Sequence, residues 1–244
     1  MILAPAMSSA RRLATVGLLA LLLGGCSTVP NVVPTPSPTA LPTIPPTTPP
    51  YTLAPAPSGC PTATPAAFSG TATVTMSTNF GNIVIKVDSG LGANAAGTFV
   101  ALAQCGYYNN VVFHRIVKGF VIQAGDGTYA RLPTLTQTKM GTGGPGWTVT
   151  DDKVTTPYKR GTVALANTGA ANSANTQFFI VLSDAAWTAT TPKTYAIFGN
   201  VTSGLDVVDR IALVPTGGEP GANGAPPSMP LQPIVITGTT VTTP

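Results

Sequence analysis

The chain has 244 residues, the length of one domain with appendages, and only 8% of them are charged, against roughly 25% in an ordinary soluble domain. The charge is unevenly placed: before Lys86 the only charged residues are Arg11 and Arg12, and the remainder carries ten bases against eight acids, a net +2. No basic run or basic–aromatic alternation is present, which disfavours a nucleic-acid partner. One histidine and three scattered cysteines are too few ligands for a protein-built zinc site. With His114 alone and no G-x-S-x-G turn, a serine-hydrolase triad also lacks support. Any chemistry here works with few titratable groups.

Residues 1–25 read as an address. Arg11 and Arg12 form a basic n-region, and an apolar stretch follows to Leu23, too short for a comfortable permanent span. It ends in Leu23-Gly24-Gly25-Cys26, which resembles the lipobox of bacterial lipoproteins. That resemblance implies cleavage before Cys26 and its lipidation. Two or three acyl chains hold a protein on a membrane where one does not, each buried methylene contributing about 0.8 kcal/mol. The expected location is then the cell envelope, lipid-anchored and outside the cytoplasm; the alternative is an ordinary secretory signal.

Residues 26–67 form an uncharged stretch dominated by Pro, Thr, Ala and Ser, with thirteen of the chain's 25 prolines between Pro30 and Pro65. Proline fixes φ and removes backbone donors, so this segment is expected to be an extended tether of polyproline II character. About 40 residues at roughly 3.1 Å each reach up to about 120 Å.

Residues 68–244 are of single-domain size and read mostly as β. Apolar and polar residues alternate over 71–78 and 83–87, split by a hairpin-like connection at 79–82. A helix is predicted over 93–105, with Phe99, Leu102 and Ala103 on one face and Gly106 as its stop. Short strands follow at 111–116 and 120–124, then a loop-like Gly/Thr/Pro-rich stretch to 160. Strands at 162–166, 177–182 and 196–201, a helix over 205–213 and a closing strand at 234–240 complete the domain. The fold class expected is mainly β: a closed antiparallel eight-stranded barrel with two helices, because closure removes exposed edges.

Five blocks then stand in order. Tyr108 leads to Phe113-His114-Arg115, Phe120-Val121 and Gln123-Ala124-Gly125-Asp126; Gly141-Thr142-Gly143-Gly144 follows. Ala166-Asn167 with Gln177-Phe178-Phe179, then Trp187, then Ile197-Phe198-Gly199 complete the series. The series resembles the signature of cyclophilins, the peptidyl-prolyl isomerases, over roughly 72–208. Gly141–Gly146 lacks the Lys-[Ser/Thr] and helix start of a phosphate loop.

The implied chemistry suits a chain poor in titratable groups. An X-Pro bond turns over slowly because amide resonance sets a barrier of about 18–20 kcal/mol. No external bond is made or broken, so no nucleophile, metal or cofactor is implied. Twisting localises the lone pair on the prolyl nitrogen, and a fixed cation there favours the twisted form. The resemblance gives that role to Arg115, whose guanidinium is always charged and presents a planar fork of donors. It also implies a proline pocket of Phe120, Val121 and Phe179, with Gln123 supporting Arg115 or a substrate carbonyl. Ala166 and Asn167 are implied beside the substrate backbone, Trp187 at the rim, Gly141 and Thr142 at a neighbouring pocket, and Gln177 and Tyr195 among the substrate contacts. His114 is expected to be structural. The implied partners are proline-containing peptides and unfolded secreted proteins, with the membrane held through Cys26.

Departures from the family pattern are Val121 where Met is frequent, Thr188 after Trp187 where Leu is common, and Tyr195 in place of His. The connection between Asp126 and Gly141 and the excursion at 215–233 both look longer than the family's. Val121, Thr188 and the long Asp126–Gly141 connection keep open a second reading, a proline-peptide-binding envelope module or holdase without useful catalysis. Once Cys26 is lipidated, Cys60 and Cys105 are an even pair in an oxidising compartment. A disulfide joining the tether's end to the helix is expected, the alternative being two free thiols.

Overall fold

The computed structural model describes residues 54, 57–187, 194–218 and 227–244. The expected signal, Cys26 and the tether as far as residue 53, together with Thr188, lie outside the described residues.

Strands β1 (Thr71–Thr78) and β2 (Gly81–Asp88) form an antiparallel hairpin in which Thr78 pairs with Gly81, so the turn is the two residues Asn79 and Phe80. The alternation read from sequence sends Ala72, Val74 and Met76 inward from β1, and Ile83, Ile85 and Val87 inward from β2. Helix α1 (Ala93–Gln104) follows, then β3 (Arg115–Val117), β4 (Val121–Ala124), β5 (Thr162–Leu165), β6 (Phe178–Val181) and β7 (Ile197–Ser203). Helix α2 (Leu205–Ala212), the short β8 (Thr216–Gly217) and β9 (Met229–Pro230), and β10 (Ile236–Thr242) end the chain. Single 3-10 turns lie at Gln137–Lys139 and Asp184–Ala186.

Eight strands make one antiparallel sheet in the order β10-β1-β2-β7-β5-β6-β4-β3, while β8 and β9 pair separately. The expected closed barrel is not what forms: the sheet is a curled half-barrel with β10 and β3 as its two edges. The edge strand β3 is only three residues long, and the residues before it bond irregularly with the start of β10, Ile236 N donating to the Val111 carbonyl and Phe113 N to the Ile234 carbonyl. Val111 and Val112, expected to begin that strand, make isolated bridges to Arg131 and Val235 instead. The amide of Ile116 donates not to β10 but to the carbonyl of Ser228, at 2.7 Å. A loop thus covers the edge that closure would have removed.

Helix α1 packs on the inner face of the sheet, with Phe99, Leu102 and Ala103 buried as their spacing predicts. The Phe99 ring meets Tyr108, Phe178 and Phe198 at centroid distances of 5.3, 5.3 and 4.6 Å, and these rings fill the core's centre. Gly92, at the helix start, offers no side-chain cap. The carboxylate of Asp152, far along the chain, accepts from the amides of Asn94 (3.2 Å) and Ala95 (2.8 Å) in its place.

The segment before β1 is bound to this domain. Cys60 and Cys105 form the expected disulfide, with Cα atoms 5.2 Å apart. The amide of Ser58 donates to the Cys105 carbonyl, Trp147 Nε1 to the Pro61 carbonyl, and Thr64 Oγ1 to the Thr148 carbonyl. The carbonyl of Ala66 lies so close to α1 that a Cβ on Gly97 would come within 2.1 Å of it. Only glycine permits that approach. Residues 57–67, tether by composition, are fastened to the domain.

Candidate active site

Cross-strand register builds the site. Arg115 on β3 faces Gln123 on β4, and Gln123 faces Phe179 on β6. A two-residue side-chain period therefore places Arg115, Val121, Gln123 and Phe179 on one face, while Ile116, Ile122 and Ile180 point into the core. Both faces of β6 are covered, one by core and one by site, and all four of its residues are buried.

On the site face lies a cavity of about 160 Å³, lined by Arg115, Phe120, Val121, Phe179, Trp187 and Tyr195, with Gln123, Ala166 and Asn167 at its border. It is well below the roughly 300–1,000 Å³ of a drug-sized pocket and takes one compact apolar group. Its walls are aromatic. Trp187 stacks on Phe120 (4.8 Å) and on Phe179 (5.6 Å), and Tyr195 meets Phe179 edge-on at 5.3 Å. The 3-10 turn at Asp184–Ala186, capped by Ser183 Oγ on the amide of Ala185, carries Trp187 to this position.

The polar wall is a directed chain of hydrogen bonds. Arg115 Nη1 donates to Gln123 Oε1 at 3.2 Å, and Gln123 Nε2 donates to Gln177 Oε1 at 3.0 Å. Gln177 Nε2 donates in turn to the carbonyls of Gly141 and Gly143, both at 3.0 Å. Each amide is orientated by the next, so the guanidinium is held at the cavity edge with donors to spare. Burial lowers the Arg115 pKa from its ordinary value, and Tyr195 opposes that shift.

Asp126, fully buried, organises the loop beside the site. It accepts from the amides of Thr128, Tyr129, Gly141 and Gly143. Gly141 and Thr142 border a second cavity of about 640 Å³ that shares Arg115 and Gln123 with the first.

A family model supplies the deciding comparison: that of the cyclophilin-type peptidyl-prolyl cis-trans isomerase/CLD family matches residues 73–241. The chain belongs to this family. Among curated cyclophilins it is 36% identical over 169 residues to the peptidyl-prolyl cis-trans isomerase cyp18 of Streptomyces antibioticus, covering 67% of this chain and 95% of that protein. It is 34% identical over 165 residues to a peptidyl-prolyl cis-trans isomerase of Acinetobacter baylyi, covering 67% and 81%. Among solved structures, a cyclophilin of Cryptosporidium parvum superposes with a TM-score of 0.57 at 26% identity, over 71% of this chain and 99% of that one. A second structure of that protein was determined in the presence of the dipeptide Ala-Pro and matches with a TM-score of 0.56 at 25% identity. The protein is thus an isomerase of the cyclophilin type.

Most residues singled out in the cyclophilin signature gather around the small cavity; Gly141 and Thr142 line the neighbouring one. Asn167 borders the small cavity, and Gln177 lines neither cavity. Gln177 is buried behind Gln123, its amide nitrogen committed to two loop carbonyls. The Asn167 side chain is spent locally, Nδ2 donating to the Thr194 carbonyl and Oδ1 accepting from the amide of Gly169. Sequence reasoning missed Tyr158. Its ring lies 4.2 Å from Trp187, and its hydroxyl donates to the Tyr195 carbonyl and accepts from the Tyr195 amide. Burial pushes that hydroxyl up to about 12, so it stays a donor at any physiological pH.

Proposed function

We propose that the small cavity takes the proline ring of a polypeptide and that Arg115 stabilises the twisted X-Pro amide through its prolyl nitrogen. The observation that carries the reading is the shared edge: a one-ring apolar cavity bordered by a guanidinium that Gln123 holds in place. In a planar amide the nitrogen lone pair is delocalised and accepts nothing. At the twisted transition state it becomes an acceptor, and a pre-positioned donor stabilises that state selectively. Phe120, Val121, Phe179 and Trp187 fix the ring, so the acyl side rotates against it. Gln123 and Gln177 keep the guanidinium from relaxing away. The related Cryptosporidium parvum cyclophilin, studied with Ala-Pro, supports a proline-containing ligand.

Replacing Arg115 by Ala is expected to lower kcat/KM by roughly tenfold or more with the fold intact, since a positioned donor is worth at least about 1.4 kcal/mol at the transition state. A protease-coupled proline-peptide assay with circular dichroism of the variant measures this. Full activity in a folded Arg115→Ala protein would remove the guanidinium from the mechanism.

The clients follow from the N-terminal segment. Leu23-Gly24-Gly25-Cys26 and the Pro/Thr-rich stretch support a lipid-anchored enzyme held off a membrane, acting on unfolded proteins outside the cytoplasm. Cys26→Ser is expected to move the signal-cleaved protein from the membrane fraction to the soluble one. Retention of that cleaved variant on salt-washed membranes contradicts the lipid anchor.

A further inference from the structure

Trp187 and Tyr195 are walls of the small cavity, and neither is fixed by its own element. Among the described residues the indole N–H of Trp187 has no partner, so packing alone sets the ring. The nearest of its ring neighbours is Tyr158, with centroids 4.2 Å apart, against 4.8 Å for Phe120 and 5.6 Å for Phe179. Tyr158 is buried and does not line the cavity.

Tyr195 has the opposite need, because its backbone is what lacks a strand partner. The β5–β7 ladder ends where the Leu165 amide donates to the Ala196 carbonyl, and Tyr195 lies one residue beyond. The Tyr158 hydroxyl stands in for the missing strand. It donates to the Tyr195 carbonyl at 2.8 Å and accepts from the Tyr195 amide at 3.0 Å. A hydroxyl carries one donor and two acceptor sites, so it makes both bonds at once.

The same short segment grips the turn that carries Trp187. Two residues after Tyr158, the amide of Arg160 donates to Asp184 Oδ1 at 2.6 Å, and Arg160 Nη1 donates to the Leu182 carbonyl at 3.1 Å. Arg160 Nη2 pairs with Asp209 on α2 at 2.8 Å, which anchors the segment itself. One buried ring and one amide thus hold two walls of the cavity from behind.

We propose that Tyr158 is a positioning residue for the small cavity, holding Trp187 and Tyr195 at the spacing of a five-membered ring. It thereby sets both the affinity for proline and the rejection of larger rings. A cavity of about 160 Å³ discriminates by one methylene only where its walls cannot yield. The walls touch the prolyl ring alike in the planar and the twisted amide. Loosening them removes uniform binding, which raises KM and spares kcat. The inference rests on the small cavity being the proline site.

The test uses the full chain and cis–trans exchange measured by NMR. The substrates are a Gly-Ala-Pro-Gly peptide and its homologue with pipecolic acid, the six-membered ring analogue, in place of proline. Tyr158→Phe removes only the hydroxyl and keeps the ring against Trp187. It is expected to raise KM for the proline peptide roughly fivefold with kcat within about twofold. In the wild type, kcat/KM relative to uncatalysed exchange is expected to favour proline by roughly tenfold, and in Tyr158→Phe by less than about threefold. Asp184→Ala is the second variant: the residue is exposed, and its loss frees the Trp187 turn from the Arg160 amide. It is expected to raise KM about threefold. An unchanged KM or an intact preference for proline in folded Tyr158→Phe overturns the proposal, as does an unchanged KM in Asp184→Ala where Tyr158→Phe does not fold. If the wild type turns over no peptide, the reading of the small cavity fails instead, and the positioning is then read without substrate. The chain has two tryptophans, Trp147 and Trp187, so 5-fluorotryptophan labelling gives two fluorine signals, assigned with Trp147→Phe. Tyr158→Phe, or Asp184→Ala in its place, is expected to shift and broaden the Trp187 signal and leave that of Trp147 unmoved. An unmoved Trp187 signal overturns the proposal.

Discussion

At the scale of single residues, the site is governed by groups whose partners are fixed and, among the described residues, by two buried groups without one, the His114 ring and Trp187 Nε1. Of these two, His114 titrates. Burial, opposed by Asp126 and reinforced by Arg115, lowers its pKa from 6.5 to about 4. The folded protein therefore holds a neutral imidazole where the unfolded chain binds a proton, and between about pH 4 and 6.5 the unfolded state is the more protonated. Stability is fully present above pH 6.5 and is lost as pH falls toward 4. Relative to a His114→Gln variant, which does not titrate, the wild type should lose about 2–3 kcal/mol between pH 7 and pH 4.5. Urea unfolding of the two proteins at both pH values measures it. The chain has no other histidine, so other groups largely cancel in the comparison. A flat difference shows that the ring is solvated or partnered in solution. Arg115 and Gln123 were legible in sequence because motif and register coincide. Tyr158 was not, because a lone aromatic in a Gly/Thr/Pro-rich loop has no period, and its partners Trp187 and Tyr195 are brought to it only by the fold.

Elements are set by local pattern where they are long and by distant groups where they are short. The start of α1 shows the second kind: its capping oxygens belong to Asp152, more than fifty residues away. Asp152→Ala is expected to cost about 1–2 kcal/mol, as the loss of a charged N-terminal acceptor does, with kcat/KM unchanged because no site residue touches it. Thermal or denaturant unfolding beside a peptide assay checks both halves. β1, β2 and α1 were readable from alternation and from the i, i+3, i+4 face. β8 and β9 were not, since two residues each in a Gly/Pro-rich stretch carry no periodicity. The loop from Asp126 to Gly141 was equally silent, because one buried carboxylate shapes it by collecting amides up to seventeen residues on. The failure of closure was hidden for a related reason. The edge is a strand of only three residues, and neither that shortness nor the register shifts at Ser77/Thr78, Val84/Ile85 and Val163/Ala164 interrupt the apolar pattern.

At the scale of the whole molecule, the question is where the tether ends and the domain begins, and the Cys60–Cys105 bond answers it. Composition places the boundary at residue 67, but the segment from Ser58 to Ala66 is covalently and non-covalently part of the domain. A crosslink spanning 45 residues removes loop entropy from the unfolded chain worth roughly 3–4 kcal/mol in the chain-entropy model. Reduction, or Cys60→Ser with Cys105→Ser, is therefore expected to lower stability by about that amount and Tm by roughly 10 °C for a domain of this size. Isomerase activity of the folded fraction at 25 °C should be unchanged, since neither cysteine borders either cavity. Truncation separates the crosslink from the tether. A protein starting at residue 57 keeps Cys60 and should melt with the full chain. One starting at residue 68 loses the bond and the Pro61 and Thr64 contacts, and should melt with or below the reduced protein. If both truncations melt together, residues 57–67 contribute nothing to the folded domain, and the tether extends to the first strand as composition alone implies.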